Sequence, residues 1–222
     1  MNLDLDLDLF DEAATRQPPR VEQLGPQTFV LRAFALPFVD ELLPPLRSVL
    51  KAAPFRRMVT PGGQTMSVAL SNCGPLGWTT DAHGYRYTPL DPRTGQPWPG
   101  LPAVFCRLAG EAAAVAGFAD FVPDACLINR YVPGARMSLH QDKNERDYDA
   151  PIVSVSLGLP AMFQMGGLAR SDRPLRVPLL HGDVMVWGGV DRLRFHGVLP
   201  LKEGTHAVMG PQRINFTLRK AG

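Results

Sequence analysis

Seven short strand-like segments fill most of the second half of the chain, and they limit the folds open to it. Each is five to eight residues long and largely apolar or alternating, with Gly and Pro between the segments. They lie at residues 125–131, 152–159, 161–165, 175–180, 183–187, 195–199 and 213–219. Because no helical segment separates successive strands, alternating βαβ units are disfavoured. The sequence therefore predicts a mainly β fold with flanking helices, built as a sandwich or jelly-roll barrel.

The helices are expected before these strands. Residues 37–51 carry apolar side chains near a 3.6-residue spacing, with Pro37 at a natural helix start but Pro44 and Pro45 in the middle. We predict two short helices or one kinked helix there, packed outside a sheet. The Ala- and Val-rich residues 101–117 predict a second helix. A strand is expected at residues 27–32, ahead of both helices.

Residues 55–99 form a long segment rich in Gly, Pro, Thr and Tyr, with strand-like pieces only at 66–71 and 85–87. Compact domains seldom contain irregular segments of this length unless the segment has a function. We interpret it as a cover over a site. A β-meander with ordinary turns is an equally good interpretation.

Length and composition favour one soluble domain. A chain of 222 residues suits a single domain, assigned to residues 21–222, and residues 1–20 are predicted to be a mobile acidic tail. No apolar run approaches the roughly 18 residues of a membrane-spanning helix, and the acidic N-terminus does not resemble a signal peptide. We expect a cytoplasmic monomer with no membrane association. Cys73, Cys106 and Cys126 lack C-x-x-C spacing and are expected to be buried thiols.

The charge of the chain is unevenly distributed. Residues 1–12 carry five acids and no base, so the rest of the chain holds 23 Lys and Arg against the remaining 16 of the 21 acids. This balance permits a polyanionic partner without requiring one.

His140 and Asp142 could bind a metal ion together, because side chains two residues apart on an extended backbone point the same way. With five His and 15 Asp, a chance H-x-D pair has a probability of about one third, and the chain contains a second copy at His181 and Asp183. The second copy lies between two apolar runs, so Gly182-Asp183 is interpreted as a hairpin turn. We therefore prefer His140 and Asp142.

His196, 54 residues beyond Asp142, is the candidate third ligand. Two imidazoles and one carboxylate on one side of an ion leave the other positions open, which suits iron(II) and O2 better than structural zinc. An ordinary core or surface role is the alternative for any single histidine.

The last strand-like segment, residues 213–219, has one apolar face of Ile214, Phe216 and Leu218 and one polar face. The polar face comprises Arg213, Asn215, Thr217 and Arg219. Considered alone, it is best explained as the solvated side of an edge strand. Inside a jelly roll, however, two guanidinium groups would require an anion, and a small dicarboxylate supplies two negative charges.

These residues together resemble a known family. His140-x-Asp142, His196 and the R-x-N-x-T-x-R segment at 213–219 are similar to the iron and 2-oxoglutarate motifs of the AlkB-type nucleic-acid dioxygenases. The segments MVTPGGQTMSVALSNCG, PDACLINRY, PIVSVSLGLPA and HGDVMVWGG strengthen the resemblance, which covers about residues 25–220. It implies a double-stranded β-helix core, with Fe(II) as cofactor and 2-oxoglutarate and O2 as co-substrates.

The resemblance also implies roles for single residues. His140, Asp142 and His196 would bind iron and carry the catalysis. The residues implied for 2-oxoglutarate are Asn129, Tyr131, Arg213, Asn215 and Arg219; we assign Arg213 to the far carboxylate and Arg219 to the metal end. The residues implied for the nucleic-acid substrate are Trp78, Tyr85, Arg86, Tyr87, Asn144 and Arg170.

The sequence departs from the family at Asn144, where an acidic residue is expected, and at Gln64 and Leu70 in the predicted cover. An amide brings no negative charge to a cationic base but can still accept a hydrogen bond from an exocyclic amine. We expect an altered base preference with activity retained.

The activity that the resemblance implies is oxidative demethylation of N-alkylated bases such as 1-methyladenine and 3-methylcytosine. The expected products are formaldehyde, succinate and CO2, and the expected partner is alkylated DNA, preferably single-stranded, or RNA. A dioxygenase with a protein or small-molecule substrate is the first alternative. A binding module without catalysis is the second, and the complete triad argues against it.

Overall fold

The computed structural model describes residues 20–222, so the predicted acidic tail lies outside the described residues except for Arg20. This part of the chain contains two α-helices, two 3₁₀ helices and thirteen strands. In order they are β1 (Val21–Gly25), β2 (Thr28–Leu31), a 3₁₀ helix (Leu36–Phe38), α1 (Val39–Ala52), β3 (Ala69–Cys73), β4 (Gly77–Asp81), β5 (Gly84–Thr88), α2 (Ala103–Val115), β6 (Ala125–Tyr131), β7 (Met137–His140), β8 (Ile152–Gly158), β9 (Ala161–Met165), β10 (Leu175–Leu179), β11 (Val184–Trp187), a 3₁₀ helix (Gly189–Asp191), β12 (His196–Val198) and β13 (Arg213–Arg219).

The strands form one large, one smaller and one two-stranded antiparallel sheet. The large sheet has the order β1-β2-β11-β8-β13-β6-β3, the smaller one β10-β9-β12-β7, and β4 pairs only with β5. Strands that are distant in sequence are therefore neighbours in both main sheets. The mainly β, jelly-roll fold with flanking helices is confirmed.

The residues of each large-sheet strand alternate between two apolar clusters. Val184 and Val186 of β11 pack in a cluster with α1 and α2, whereas Met185 and Trp187 pack in a second cluster with the smaller sheet. In β13, Phe216 belongs to the helix side and stacks on Phe105 of α2, with ring centroids 4.6 Å apart. The alternation of side chains along a strand places the opposite face of β13 between the two sheets.

β13 lies between β8 and β6 in the large sheet, so the edge-strand interpretation is wrong. All seven of its residues are buried, including both arginines. Sequence pattern shows that a strand has two faces, but whether the polar face meets water depends on the neighbouring strands and sheets.

The proline pair does not divide the predicted helix. A 3₁₀ helix precedes one α-helix, which runs through both Pro44 and Pro45. Its buried side chains Val39, Leu42, Leu46 and Val49 belong to the helix-side cluster. Burial of this face compensates for the backbone hydrogen bonds that proline cannot donate.

The strands predicted from residue 125 onward are confirmed to within one residue at each end, as is the helix at 101–117 to within two. Three strands were missed: β1, β4 and β7. β7 has only four residues, and every residue of β1 is exposed or partly exposed, so neither strand shows a clear apolar pattern. The segment 55–99 contributes β3 to the large sheet and contains the separate β4–β5 hairpin.

The predicted hairpin at Gly182-Asp183 is wrong. β10 pairs with β9 in the smaller sheet, whereas β11 pairs with β2 and β8 in the large sheet. A tight turn is present, since the Asp183 amide donates to the Leu180 carbonyl oxygen, but it connects two sheets. The Asp183 carboxylate accepts from the amides of Leu180 and Ala33 and from Arg32.

The three cysteines are free thiols. Cys73 and Cys126 are buried as predicted, whereas Cys106 on α2 is partly exposed. Within residues 20–222, no helix is long and apolar enough to cross a membrane.

Candidate active site

Three side chains that could bind one metal ion meet on the smaller sheet. His140 ends β7, Asp142 follows two residues later, and His196 begins β12. β12 pairs antiparallel with β7 so that His196 lies opposite His140. One ligand atom from each of the three residues lies within 4.8 Å of the others, and residues 20–222 contain no second group of this kind. The sheet register therefore joins residues that are far apart in sequence.

Hydrogen bonds fix the orientation of both imidazoles. The His140 Nδ1 lies 2.8 Å from the Ser138 carbonyl oxygen, and the His196 Nδ1 lies 3.1 Å from the Arg194 carbonyl oxygen. Since a carbonyl oxygen only accepts, each Nδ1 must carry the proton. Each Nε2 then presents a lone pair, and these atoms lie 3.8 and 3.5 Å from Asp142 oxygens. This tautomer is the one that metal ligation through Nε2 requires.

The charge states of His140 and Asp142 also suit a cation. Burial, followed by the neighbouring His196, lowers the pKa of His140 from 6.5 to about 4. Burial alone would raise the pKa of Asp142, but Arg219 and His196 lower it well below its usual value. At neutral pH the site therefore offers a neutral His140 and an ionised carboxylate, the forms that bind metal.

Arg219, at the end of β13, contacts the metal-binding end of the site. Its Nε and Nη2 donate to the same Asp142 oxygen at 3.1 and 2.6 Å. Its Nε also lies 3.4 Å from Glu145, and its Nη1 donates to the Tyr87 hydroxyl oxygen at 3.3 Å. Although burial opposes it, the acidic neighbours raise the pKa of Arg219, so its charge is permanent.

Arg213, at the start of β13, is buried with few partners. It is 1 % exposed, and its Nη2 donates to Ser156 Oγ at 3.0 Å. Its Nε and Nη1 have no hydrogen-bond partner, while its guanidinium lies 5.2 Å from the Tyr131 ring centroid. Burial lowers the pKa of Arg213. A buried cation with two unused donor atoms is costly, and a carboxylate would satisfy both.

Between the two arginines lies a buried polar network. Asn215 lies opposite Asn129 in the sheet, and the Asn129 Nδ2 donates to the Asn215 Oδ1 at 3.2 Å. Asn215 donates in turn to Ser154 Oγ at 2.8 Å. The Asn129 Oδ1 has no partner. The polar face of β13 is thus buried between the sheets, where the unpartnered polar atoms of Arg213 and Asn129, beside Tyr131, could hold a small dianion.

Two aromatic rings of the β4–β5 hairpin lie beside the metal-binding end. Trp78 and Tyr85 stack with centroids 5.7 Å apart, and Tyr85 is 48 % exposed. The Trp78 Nε1 donates to the Asn144 Oδ1 at 3.3 Å, and the Asn144 Nδ2 donates to the Tyr85 carbonyl oxygen at 3.4 Å. The ring pair is therefore attached to a residue two positions after Asp142.

The other predicted substrate residues lie in different surroundings. Tyr87 is turned inward, where its hydroxyl donates to Glu145 at 2.6 Å. Arg86 is on the opposite face of β5 and forms an ion pair with Asp81 at 2.6 Å, so it is not directed to the ring pair. Arg170 is exposed and lies over the Phe195 ring at 5.8 Å.

Comparison with known proteins decides the family. A sequence model described as the 2OG-Fe(II) oxygenase superfamily matches residues 36–219. The chain is 57 % identical to the alpha-ketoglutarate-dependent dioxygenase AlkB of Salmonella typhimurium and 55 % identical to that of Escherichia coli, in each case over 97 % of this chain and 98 % of the relative. The solved structure of OsALKBH1 superposes with a TM-score of 0.77 at 28 % identity, covering 90 % of this chain and all of that one.

The chain belongs to the AlkB-type 2OG-Fe(II) oxygenases. It is thus an iron(II)- and 2-oxoglutarate-dependent dioxygenase with O2 as co-substrate, as the sequence predicted. The orphaned donors of Arg213 and the two correctly oriented imidazoles are consistent with 2-oxoglutarate and iron(II) respectively.

Two residues of the site were missed by sequence reasoning. Glu145 is 5 % exposed and contacts Tyr87 and Arg219, and Arg192 is 2 % exposed and forms an ion pair with Glu145. Both lie in irregular or 3₁₀ segments without periodicity, so the pattern of the sequence does not distinguish them from surface charges. The only available signal is that Glu145 lies three residues after Asp142.

The second H-x-D copy is outside the site. The His181 Nδ1 accepts from the Gly158 amide at 3.0 Å, and Asp183 forms an ion pair with Arg32. Neither belongs to the group that could hold a metal ion.

The first prediction concerns the protonation of His140 in the metal-free protein. Because its folded pKa, about 4, is below the ordinary histidine value of 6.5, protonation favours unfolding. The stability that it contributes is complete above pH 6.5 and is lost as pH falls through about 4. A pH titration of the His140 ring protons by NMR should show a midpoint near 4, and a midpoint at 6.5 or above would contradict this.

The second prediction separates ligand binding from folding at Arg213. Arg213→Met should not lower the free energy of unfolding of the cofactor-free protein, because the buried guanidinium lacks an anionic partner. It should raise the Kd for 2-oxoglutarate by roughly 30-fold or more, since a buried charge partner of the ligand is lost. Urea denaturation and calorimetry measure the two effects. Arg176→Met, the same change at an exposed position, should alter neither; equal 2-oxoglutarate affinity in both variants would refute the assignment.

Proposed function

We propose that this dioxygenase oxidatively demethylates N-alkylated bases of nucleic acid, of the 1-methyladenine and 3-methylcytosine type. The observation that carries the proposal is the link between the ring pair and the metal ligands. Trp78 is hydrogen-bonded to Asn144, which follows the metal ligand Asp142 by two residues. A base stacked on Trp78 would therefore hold its alkyl group beside the metal.

The chemistry of the ring pair suits such a base. An adenine alkylated at N1 or a cytosine alkylated at N3 is cationic, and an aromatic face attracts a cation. The base must leave its stack to reach a buried site, and leaving costs least in a single strand. We therefore infer alkylated DNA as the substrate, preferably single-stranded, with RNA as a further substrate.

The names of relatives support a nucleic-acid substrate. A human relative, 33 % identical over 58 % of this chain and 34 % of its own length, is a nucleic acid dioxygenase. An Arabidopsis thaliana relative, 33 % identical over 55 % of this chain and 36 % of its own length, is a DNA N(6)-methyladenine demethylase.

We propose a separate role for each residue of the site. His140, Asp142 and His196 would hold iron(II), Arg219 would bind the metal-proximal carboxylate of 2-oxoglutarate, and Arg213 would bind its far carboxylate. Asn129, Tyr131 and Asn215 would complete the 2-oxoglutarate site. When bound, iron(II) with 2-oxoglutarate and O2 supplies the oxidation of the N-methyl carbon, and the products are formaldehyde, succinate and CO2.

The remaining residues would determine which base enters. Trp78 and Tyr85 would stack on the base, and Asn144 would contact its edge. Arg170 would contact phosphate. Tyr87, which is turned inward, would support the site through its contacts with Glu145 and Arg219. Arg86 would act only through its pair with Asp81. Asn144 uses one acceptor site of its oxygen and one N–H of its nitrogen on Trp78 and Tyr85, so one acceptor site and one N–H remain for the base edge, and we infer that its main effect is on base preference. Gln64 and Leu70 would contribute to the same preference.

The wider organisation is proposed on the same basis. Residues 21–222 would form one domain, with residues 55–99 acting as the nucleotide-recognition cover through the β4–β5 hairpin. The protein would act as a cytoplasmic monomer.

A mass measurement tests the proposal. The iron-loaded protein is incubated with oligonucleotides bearing 1-methyladenine or 3-methylcytosine, and each should lose the mass of one CH2 unit only when 2-oxoglutarate and O2 are present. His140→Ala should abolish the loss, whereas His181→Ala, which alters the second H-x-D copy, should retain it. Succinate formation that methylated DNA does not stimulate would instead indicate a protein or small-molecule substrate.

The role of the ring pair has its own prediction. Trp78→Ala should raise the KM for the methylated oligonucleotide by roughly 5- to 150-fold, because base–aromatic stacking contributes about 1–3 kcal/mol. The KM for 2-oxoglutarate should not change, since Arg213 and Arg219 remain. Trp78→Phe loses the hydrogen bond to Asn144 but keeps an aromatic ring. Because stacking is retained, its KM for the methylated oligonucleotide should be close to that of the unaltered protein. Equal losses in Trp78→Ala and Trp78→Phe would show that the indole nitrogen, and not stacking, matters.

A further inference from the structure

The metal ligand Asp142 lies in a segment without regular structure. Residues 141–151, between β7 and β8, contain no helix or strand, so no sheet ladder fixes this backbone. A carboxylate must nevertheless keep its position relative to His140 and His196 for all three to share one ion. Contacts from outside the segment supply that order: Arg219 holds the Asp142 carboxylate, and the Arg146 amide donates to the Ala221 carbonyl oxygen.

Arg192 supplies four contacts to this segment. Its Nη1 donates to the Asp142 carbonyl oxygen at 2.8 Å, and its Nε donates to the Ala150 carbonyl oxygen at 3.2 Å. Its Nη2 lies 3.2 Å from the Glu145 Oε2, and its guanidinium lies over the Tyr148 ring at 5.4 Å. One rigid group thus joins the start, middle and end of the segment.

The ion pair between Arg192 and Glu145 also affects the charge around Arg219, where 2-oxoglutarate would bind. Glu145 contacts Arg192 through Oε2, and through Oε1 it contacts the Tyr87 hydroxyl and the Arg219 guanidinium. Without Arg192, the buried carboxylate would have Arg219 as its only cationic partner among the described residues. It would then compete with Asp142 and with an incoming carboxylate for that guanidinium.

We propose that Arg192 is a positioning residue for both ligands of the reaction. It holds the backbone of Asp142 in place for the metal, and it neutralises Glu145 so that Arg219 remains available to 2-oxoglutarate. Arg192 contacts the backbone of Asp142 and not its carboxylate, so it would act through the segment and not as a ligand. The proposal concerns the metal site and does not depend on the identity of the nucleic-acid substrate.

Binding of Mn²⁺ alone, a redox-inactive divalent ion that accepts the same ligand types, tests the first part. Calorimetry is carried out on folded Arg192→Met, checked by circular dichroism. We expect a loss of roughly 10- to 100-fold in Mn²⁺ affinity, as for other residues that orient metal ligands. The matched control is Arg32→Met, because Arg32, like Arg192, combines ion pairing with a hydrogen bond to a backbone carbonyl oxygen but lies away from the site, where it contacts Glu22, Asp183 and Pro178. It should change the affinity by less than about twofold.

A conservative variant keeps the proposal testable if Arg192→Met fails to fold. Arg192→Lys retains a cation beside Glu145, but one ammonium group cannot reach the Asp142 and Ala150 carbonyl oxygens together. Its Mn²⁺ affinity should fall while its KM for 2-oxoglutarate stays near that of the unaltered protein. Wild-type Mn²⁺ affinity in Arg192→Lys, or equal losses in Arg192→Met and Arg32→Met, would overturn the proposal.

The double variant Arg192→Met with Glu145→Gln tests the effect of the Glu145 charge separately. Removing the uncompensated carboxylate should give a lower KM for 2-oxoglutarate than Arg192→Met alone, while Mn²⁺ affinity stays low. A KM equal to or higher than that of Arg192→Met would show that Glu145 is not what impairs 2-oxoglutarate binding.

Discussion

The antiparallel register of β7 and β12 is the constraint on which the active site depends. It sets His196 opposite His140. A shift of one residue would turn one imidazole to the other face of the sheet, because side chains alternate along a strand. On its other side β12 pairs with β9, where His196 lies opposite Met165, so β12 is held by a strand at each edge. The sheet therefore acts as the rigid support that a metal site needs.

Buried charges must also be paired. In this site they are paired at the metal-binding end but not at the Arg213 end. At the metal-binding end, Arg219 and Arg192 are balanced by Asp142 and Glu145. At the other end, Arg213 is held between the sheets with two donor atoms unused. The site is therefore polar: positive charge is in excess at the Arg213 end, whereas charge is balanced at the metal-binding end. This asymmetry explains how a short dianion could bind in one orientation.

The sequence predicted some structural elements better than others. The long strands β6, β8 and β13 have clear patterns and were predicted within a residue of their ends. The hairpin expected at Gly182-Asp183 failed because the same turn can join strands within a sheet or between sheets, and local sequence does not distinguish the two. Similarly, the prolines of α1 predict either two short helices or one kinked helix, and burial of Leu42 and Leu46 favours a single helix through both prolines.

The sequence by itself determined the positions of most strands, the division of β13 into an apolar and a polar face, and the side chains that we propose bind iron(II) and 2-oxoglutarate. These follow from local periodicity and from side-chain chemistry, which a chain carries whatever its fold. The tertiary structure alone decided that the polar face of β13 is buried, that Trp78 is attached to Asn144, and that Arg192 braces the Asp142 segment. The contacts of Trp78 with Asn144 and of Arg192 with Asp142 join residues 66 and 50 positions apart. No local pattern encodes them, because strand order and register are set by packing of the whole domain.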